Sequence, residues 1–382
     1  MNIAIYDTEH FETAYTLIRI LDVSSNRLTL FFPKEMADQL KPMFGDRSGS
    51  FEWVYLERGN QTNWLLIHSH FRRNRCELLF LNTVAHHHLF FALLCRRLRP
   101  ASTVLTLHQV NGFFEPSFSF SPRSVLQYAG KKLLAREVSA FAVLLSTTKD
   151  YIKEHQLTKK QVFILPGSHF EHETSGGNAG KRLLIAVPGS VDLKRRQYND
   201  LLQTLLLLRE GPAKLHFVIL GGAAESRSRE MLASLNRSSS SFASVKVYDG
   251  KFVEQLEYDR VLSGCDFVLA PLSEQFYEGS AEPERYGLTK SSGCFFDAVR
   301  FGKPLILPAH LTIPPELKKQ CIVYKEPGHL AALLSNMTDE ERLAYSQSAV
   351  ANAQQFRLHI LRKSFSSFLT GLGFAKDHDP AG

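Results

Sequence analysis

RLLIAVPGSVDLKRRQYNDLLQTLLLLRE, residues 182–210, decides how the chain folds. An apolar run ends at Pro188-Gly189, a polar and basic loop continues through Arg196, and leucines then recur at helical spacing after Tyr198. A continuous apolar strand followed by an amphipathic helix is the βα unit of a parallel sheet, whose strands are covered on both faces. The alternation recurs in both directions. NIAIYD, RLTLFF, WLLIHS, ELLFLN, STVLTLH and FAVLLST come before it; KLHFVILGG, SVKVYDG, DFVLAPL, KPLILPA and CIVYK follow. Such an order predicts an α/β chain of two Rossmann-like, doubly wound domains, 1–167 and 182–338. The aperiodic, Gly-, Ser- and His-rich stretch 168–181 reads as the linker about which they open and close. Thr338-Asp339-Glu340-Glu341 has capping-box spacing and starts a helical segment within 339–382, whose tail KDHDPAG is expected to fray.

Composition agrees with two packed domains: 382 residues, 44% hydrophobic and 22% charged. The net charge of +7, with Arg72, Arg73, Arg75, Arg96, Arg97 and Arg99 grouped in the first half, suits anionic substrates or an anionic membrane face. No basic-aromatic interleaving or binding module points to nucleic acid. The hydrophobic window 78–98 is broken by Asn82, Thr83 and His86 to His88, so it reads as strand then helix rather than a membrane span. Adjacent histidines on a helix diverge, which argues against a three-histidine metal site. The five cysteines form no Cys-x-x-Cys pair and no export signal follows Met1, so neither a zinc site nor a disulfide framework is expected. The expected location is cytoplasmic, with the inner membrane face as an open option.

In open parallel sheets, ligands sit beyond the carboxyl ends of the strands. Three groups of residues follow from that rule. After the first strand, Asp7-Thr8-Glu9-His10 offers a carboxylate beside an imidazole, so Glu9 and His10 are candidates for a general base on an acceptor hydroxyl. His108, after STVLTL, is a second imidazole at a strand end, able to donate or accept a hydrogen bond. In the second half, Gly189 and Gly221-Gly222 allow close backbone approach to a nucleotide. The third group lies in EPERYGLTKSSGCFFDAVRFGKPLILP, 282–308, where Thr289, Lys290, Ser291, Ser292 and Gly293 read as a helix start. Its unpaired N–H groups, hydroxyls and lysine suit a diphosphate.

Val187-Pro188-Gly189-Ser190 with Lys194-Arg195-Arg196, and the run Asp297-Ala-Val-Arg-Phe-Gly-Lys-Pro304, resemble the nucleotide-sugar-binding domain of GT-B glycosyltransferases, especially family 4. The resemblance implies a central cleft between the domains and a nucleotide-diphosphate sugar as donor. It also implies a glycan, lipid-linked or protein acceptor, no metal or other cofactor, and terminal helices that cross back onto the first domain. The loop of His108 is similar to the family's donor-sugar loop, and the Glu9/His10 loop to the base-bearing loop of inverting members. The chain departs from the pattern at one point: the paired glutamates would fall on Thr289 and Asp297, so the first carboxylate is absent. Glu278, Glu282 and Glu284 in the preceding loop are its possible replacements. Two alternatives stay open, a UDP-N-acetylglucosamine 2-epimerase-like enzyme and a non-catalytic nucleotide-sugar-binding partner. No Gly-x-Gly-x-x-Gly follows the first strand, against a dehydrogenase. Donor base, sugar, stereochemistry and oligomeric state are not fixed by the sequence.

Overall fold

The computed structural model describes residues 1–171, 182–208, 214–248, 250, 253–277 and 279–374. Among them, the first domain is built on β1 (Asn2–Tyr6), β2 (Arg27–Pro33), β3 (Glu52–Leu56), β4 (Leu78–Leu81), β5 (Ser102–Leu107), β6 (Ala140–Val143) and β7 (Val162–Ile164). These pair in the order β3-β2-β1-β4-β5-β6-β7, parallel throughout. The second domain has β8 (Arg182–Pro188), β9 (Lys214–Leu220), β10 (Ala243–Lys246), β11 (Phe267–Leu269), a small antiparallel pair β12 (Gln275–Phe276) and β13 (Glu284–Arg285), then β14 (Leu305–Pro308) and β15 (Cys321–Tyr324). Its parallel sheet runs β10-β9-β8-β11-β14-β15.

Alternation along each central strand explains the layering. In β1, Ile3 and Ile5 pack on one face with Ile18 and Phe80, while Ala4 and Tyr6 pack on the other with Phe31 and Leu81. In β8, Ile185 and Val187 face one core and Ala186 the other. Both faces are therefore covered by helices, as purely parallel sheets require. In each sheet the chain reverses direction at a central pair, β1/β4 and β8/β11, which leaves a crevice at the carboxyl ends of those strands.

The elements differ from expectation in a few places. WLLIHS is not a strand but part of a helix, Asn63–Asn74. Its buried residues, Asn63, Ile67, His70 and Phe71, recur at helical spacing, whereas Leu65 and Leu66 are about half exposed. His68 and His70 thus lie on that helix and do not follow a strand's carboxyl end. The strand that flanks β2 at the sheet edge is instead Glu52–Leu56, EWVYL, which is largely half-exposed. His86 and His87 precede their helix, which begins at His88.

Residues 168–171, expected as free linker, are packed: Ser168, His169 and Phe170 are buried, and the Phe170 N–H donates to Phe356 O at 3.0 Å. The rest of that linker, Glu278 and the tail from Ala375 lie outside the described residues. The capping box forms at Thr338, where Glu341 and Thr338 exchange bonds. Its helix, Asp339–Ala353, gives way to a single tight turn, Gln354–Phe356. A final helix, Leu358–Gly371, then lays Leu361, Phe365 and Phe368 into the core of the first domain.

The cleft between the domains is a candidate active site

The first-domain wall begins at the carboxyl end of β1. Asp7 is fully buried, and its carboxylate accepts from the backbone N–H groups of Glu9 (2.9 Å) and His10 (3.2 Å) and from the Asn82 amide. That pinned turn fixes His10 immediately before the first helix, Phe11–Leu21. His10 Nδ1 lies 2.8 Å from Thr83 Oγ1 at the end of β4. His108, at the end of β5, donates from Nε2 to Asn82 O (2.8 Å) and sits 3.3 Å from the same Thr83 hydroxyl. The two imidazoles stack with centroids 3.8 Å apart and planes 6° from parallel. Two stacked imidazoliums would repel one another, and desolvation at the cleft floor acts in the same direction. His10 is held down to about 4, first by burial and then by the charges of Lys290 and Arg195. His108 is lowered well below the usual histidine range by burial and by His10. Both rings are neutral near pH 7. Glu9, in contrast, points outward and is exposed.

The second-domain wall is cationic. Lys290 Nζ and the Arg195 guanidinium each stand 5.3 Å from the Phe276 ring centre, so one aromatic ring gathers both charges. The Gly189 loop is pinned to the end of β9: the Gly189 N–H donates to Leu220 O and the Val191 N–H to Gly222 O, each at 3.0 Å. A Cβ on Gly221 would fall 2.0 Å from Gly189 O, so the use of this glycine is to admit the neighbouring loop. Gly189 has φ +93° and lets the Arg196 guanidinium pass beneath it. Arg196 Nη2 reaches Cys294 Sγ at 3.3 Å, and Nη1 is buried with no hydrogen-bond partner. The buried Tyr198 hydroxyl interacts with this guanidinium, so Arg196 is held inside the second domain beneath the Gly189 loop.

That helix begins later than its sequence suggests, at Gly293 rather than Thr289, and runs to Arg300 with Ser292 before its first turn. Thr289 is spent internally: its hydroxyl accepts from the Arg285 N–H at 2.8 Å, and its carbonyl accepts from the Val110 N–H of the first domain at 3.1 Å. The backbone of Lys290 bridges Gln109. Ser291 is part-buried and Ser292 buried, while Gly293 is exposed with open space where a side chain would be. Lys194 is not gathered in; its side chain is 81% exposed and stands 3.9 Å from Glu225.

Two carboxyl groups face each other in this cleft. Asp297 accepts from the Tyr258 hydroxyl at 2.8 Å and is pushed up to about 6 by burial. Glu12, in the first turn of Phe11–Leu21, rises to about 7, first through burial and further through Asp297 and Asp7. The Glu12 side chain is nevertheless exposed, so water in the cleft tempers that rise. Sequence reading passed over Glu12. The available signal was its place two residues beyond His10, on the same strand-to-helix junction.

The loop 279–292 is tied across the cleft instead of standing free. Asn111 donates to Pro283 O (2.8 Å), the Gly112 N–H to Glu284 Oε1 (2.7 Å) and the Thr147 hydroxyl to Gly287 O (2.5 Å). Glu284 is therefore wholly buried at the domain contact, while Glu282 remains exposed. Tyr286 is buried as well, and Tyr277 is 69% exposed. A second tie runs through Glu171, which accepts from the Tyr15 hydroxyl and from Arg300, each at 2.6 Å. A cavity of about 620 Å³ lined by Arg27, His70 and Arg73 opens at the amino ends of the first-sheet strands, the end away from these groups.

Searches of solved structures place this architecture. The N-terminal domain of Candida albicans trehalose-6-phosphate phosphatase aligns over 98% of this chain and 97% of its own, with TM-score 0.62 and 13% identity. UDP-GlcNAc 2-epimerase from Neisseria meningitidis, solved bound to UDP-GlcNAc, aligns over 97% and 100%, with TM-score 0.59 and 11% identity. The fold is GT-B. A further UDP-N-acetylglucosamine 2-epimerase structure aligns over 99% and 98%, with TM-score 0.57 and 9% identity. At these identities the GT-B likeness is one of architecture. No protein-family model matches the chain, and neither does any curated protein.

Among the described residues, no group of three or more His, Cys, Asp or Glu is placed to hold a metal ion. All five cysteines are free thiols. No described helix is long and apolar enough to cross a membrane.

Proposed function

We propose that the protein transfers a sugar from a nucleotide-diphosphate sugar to an acceptor hydroxyl in the cleft between its GT-B domains. The observation that carries this reading is the pairing of a neutral His10 on one wall with Lys290 and Arg195 on the other. One wall handles a proton and the opposite wall an anion. With the Nδ1 proton of His10 donated to Thr83, the lone pair on Nε2 is available to the acceptor hydroxyl. His10 takes that proton as the acceptor oxygen bonds to the anomeric carbon. The bond from that carbon to the diphosphate breaks, and its electron pair leaves on the nucleoside diphosphate. Lys290, Arg195 and the open start of the helix at Gly293 stabilise the departing charge, the task a divalent metal performs elsewhere. A single direct displacement of this kind inverts the anomeric configuration.

The low proton affinity of His10 fits this order of events. Burial depresses it most and Lys290 and Arg195 add to that, so a bound diphosphate that neutralises the two cations restores part of the affinity of the base just before it is needed. The acceptor is a glycan, a lipid-linked sugar or a protein hydroxyl. The test is thermal stabilisation by UDP, GDP, TDP and their sugar conjugates with and without magnesium, followed by product analysis with the best donor. Ligand at a hundred times its dissociation constant stabilises by about 2.7 kcal/mol. A metal-independent shift followed by donor consumption only when acceptor is present supports transfer; epimerised donor, or binding without turnover of any acceptor, overturns it.

A further inference from the structure

The segment from Pro116 to Arg136 contains no acidic residue, four basic ones and an unusual display of apolar side chains. Phe120 is 93% exposed at the tip of a loop, Phe118 is 53% exposed, and Leu126 and Val125 are 56% and 43% exposed. These side chains form one patch. The Phe118 ring contacts Phe120 at 5.4 Å and Tyr128 at 5.5 Å between centroids. Val125 and Leu126 belong to the helix Pro122–Glu137, on which Pro122, Val125, Leu126 and Ala129 are all exposed and fall at the spacing of a single helical face. Isolated exposed leucines on a protein surface need no explanation, but a contiguous aromatic and aliphatic patch on one loop and helix face does.

The charges around it select the occupant. Arg123, Lys132 and Arg136 are exposed along the same helix. Glu137, the acid that closes the segment, is turned inward and accepts from Arg99 at 2.8 Å. An apolar face with aromatic tips, rimmed by cations without a facing acid on its own helix, is the pattern of a helix lying in the plane of an anionic lipid interface. We infer that the Phe118–Arg136 face docks on an anionic bilayer surface. The geometry also orients the molecule. Ser117 N–H donates to Gly279 O (3.0 Å) and Pro116 bridges Ser280, so the patch adjoins the loop that carries Lys290 and closes the cleft. Docking therefore brings the cleft rim to the lipid headgroups.

Binding is read without turnover, so the inference stands apart from glycosyl transfer. The full chain is incubated with vesicles of phosphatidylcholine with and without phosphatidylglycerol, at low and high salt, and separated by flotation. Expected is flotation with the phosphatidylglycerol vesicles that weakens as salt screens the surface, and roughly tenfold weaker binding for F120S/L126S, since each exposed apolar side chain that enters the interface contributes through buried area. Arg123→Glu should lose binding to the anionic vesicles. Because these side chains are exposed, the variants should melt as the parent does, and a Tm measured alongside confirms it. Absence from anionic vesicles, or binding that F120S/L126S leaves unchanged, overturns the inference. So does a concentration-dependent dimer that the double variant abolishes while vesicles stay bare, because the patch would then belong to a second copy.

Discussion

The two walls of the cleft are built from the same kind of βα unit and carry opposite chemistry. On the first-domain wall, Asp7, Asn82 and Thr83 are all spent on holding two imidazoles at the ends of β1 and β5 in a fixed, stacked, neutral pair. On the second-domain wall, the polar groups of the loops are spent on backbone, through the Gly189 to Leu220 bond and the Thr289 to Arg285 bond. The cations there pack on Phe276, and Arg195 is also paired with Asp192 at 3.3 Å. A rigid neutral wall suits proton transfer, which depends on geometry within hydrogen-bond reach; a cationic wall suits a leaving group whose charge grows late.

The sharpest way to break this contrast is to remove its proton-handling side. His10→Ala should lower turnover about a thousandfold while leaving stabilisation by the nucleoside diphosphate in place. If Glu12→Gln costs more than His10→Ala, the base is the carboxylate and the assignment of the first wall fails. Lys290→Ala should cost about a hundredfold in turnover and, unlike His10→Ala, weaken the thermal shift from the diphosphate. Equal diphosphate binding by both variants would show that the walls do not divide the work.

Gly221→Ala tests whether the cationic wall depends on the zipped loops. Its Cβ would press on Gly189 O, so a loss of about 1–3 kcal/mol in denaturant melts is expected, together with weaker donor binding. A variant as stable as the parent would mean that the loop can shift freely.

Two groups on the first-domain wall predict opposite pH slopes of stability. His10, lowered from 6.5 to about 4, binds fewer protons folded than unfolded in that window. Its contribution therefore grows as pH rises from about 4 to 6.5 and is lost on acidification. Glu12, raised from 4.5 to about 7, keeps a proton that the unfolded chain releases, so folding weakens as pH rises from about 4.5 to 7. Melts across pH should steepen in Glu12→Gln and flatten in His10→Ala; the reverse would place the charges wrongly. The smallest effect belongs to Lys194→Ala. Its exposed pairing with Glu225 is worth about 0–1 kcal/mol, and donor binding should stay within twofold of the parent by titration.

Much of the architecture was legible because buried parallel strands announce themselves as apolar runs: β1, β2, β4, β5, β6 and β8 all stand where such runs occur. The reading failed where burial and apolarity part company. WLLI is apolar, but Leu65 and Leu66 face outward on a helix, while the apolar but largely half-exposed Trp53-Val54-Tyr55-Leu56 run belongs to the true edge strand. The site was legible through the rule that ligands gather at strand ends, which pointed to His10 and His108. It did not reveal Glu12. A carboxylate in a first helical turn looks like an ordinary dipole partner until the fold brings Asp297 of the other domain near it.

The sequence by itself determined two doubly wound domains, the glycines that let loops approach, and the residue types available at the strand ends. Those follow from local rules: periodicity, backbone freedom and the chemistry of side chains. The tertiary structure alone decided which groups meet. His10 stacks on His108 from nearly a hundred residues away, Lys290 and Arg195 share one aromatic ring, Thr289 is spent on Arg285 and Val110, and Lys194 is left in solvent. Proton affinity and anion affinity depend on distance and desolvation, and those are set by how the two domains close on each other.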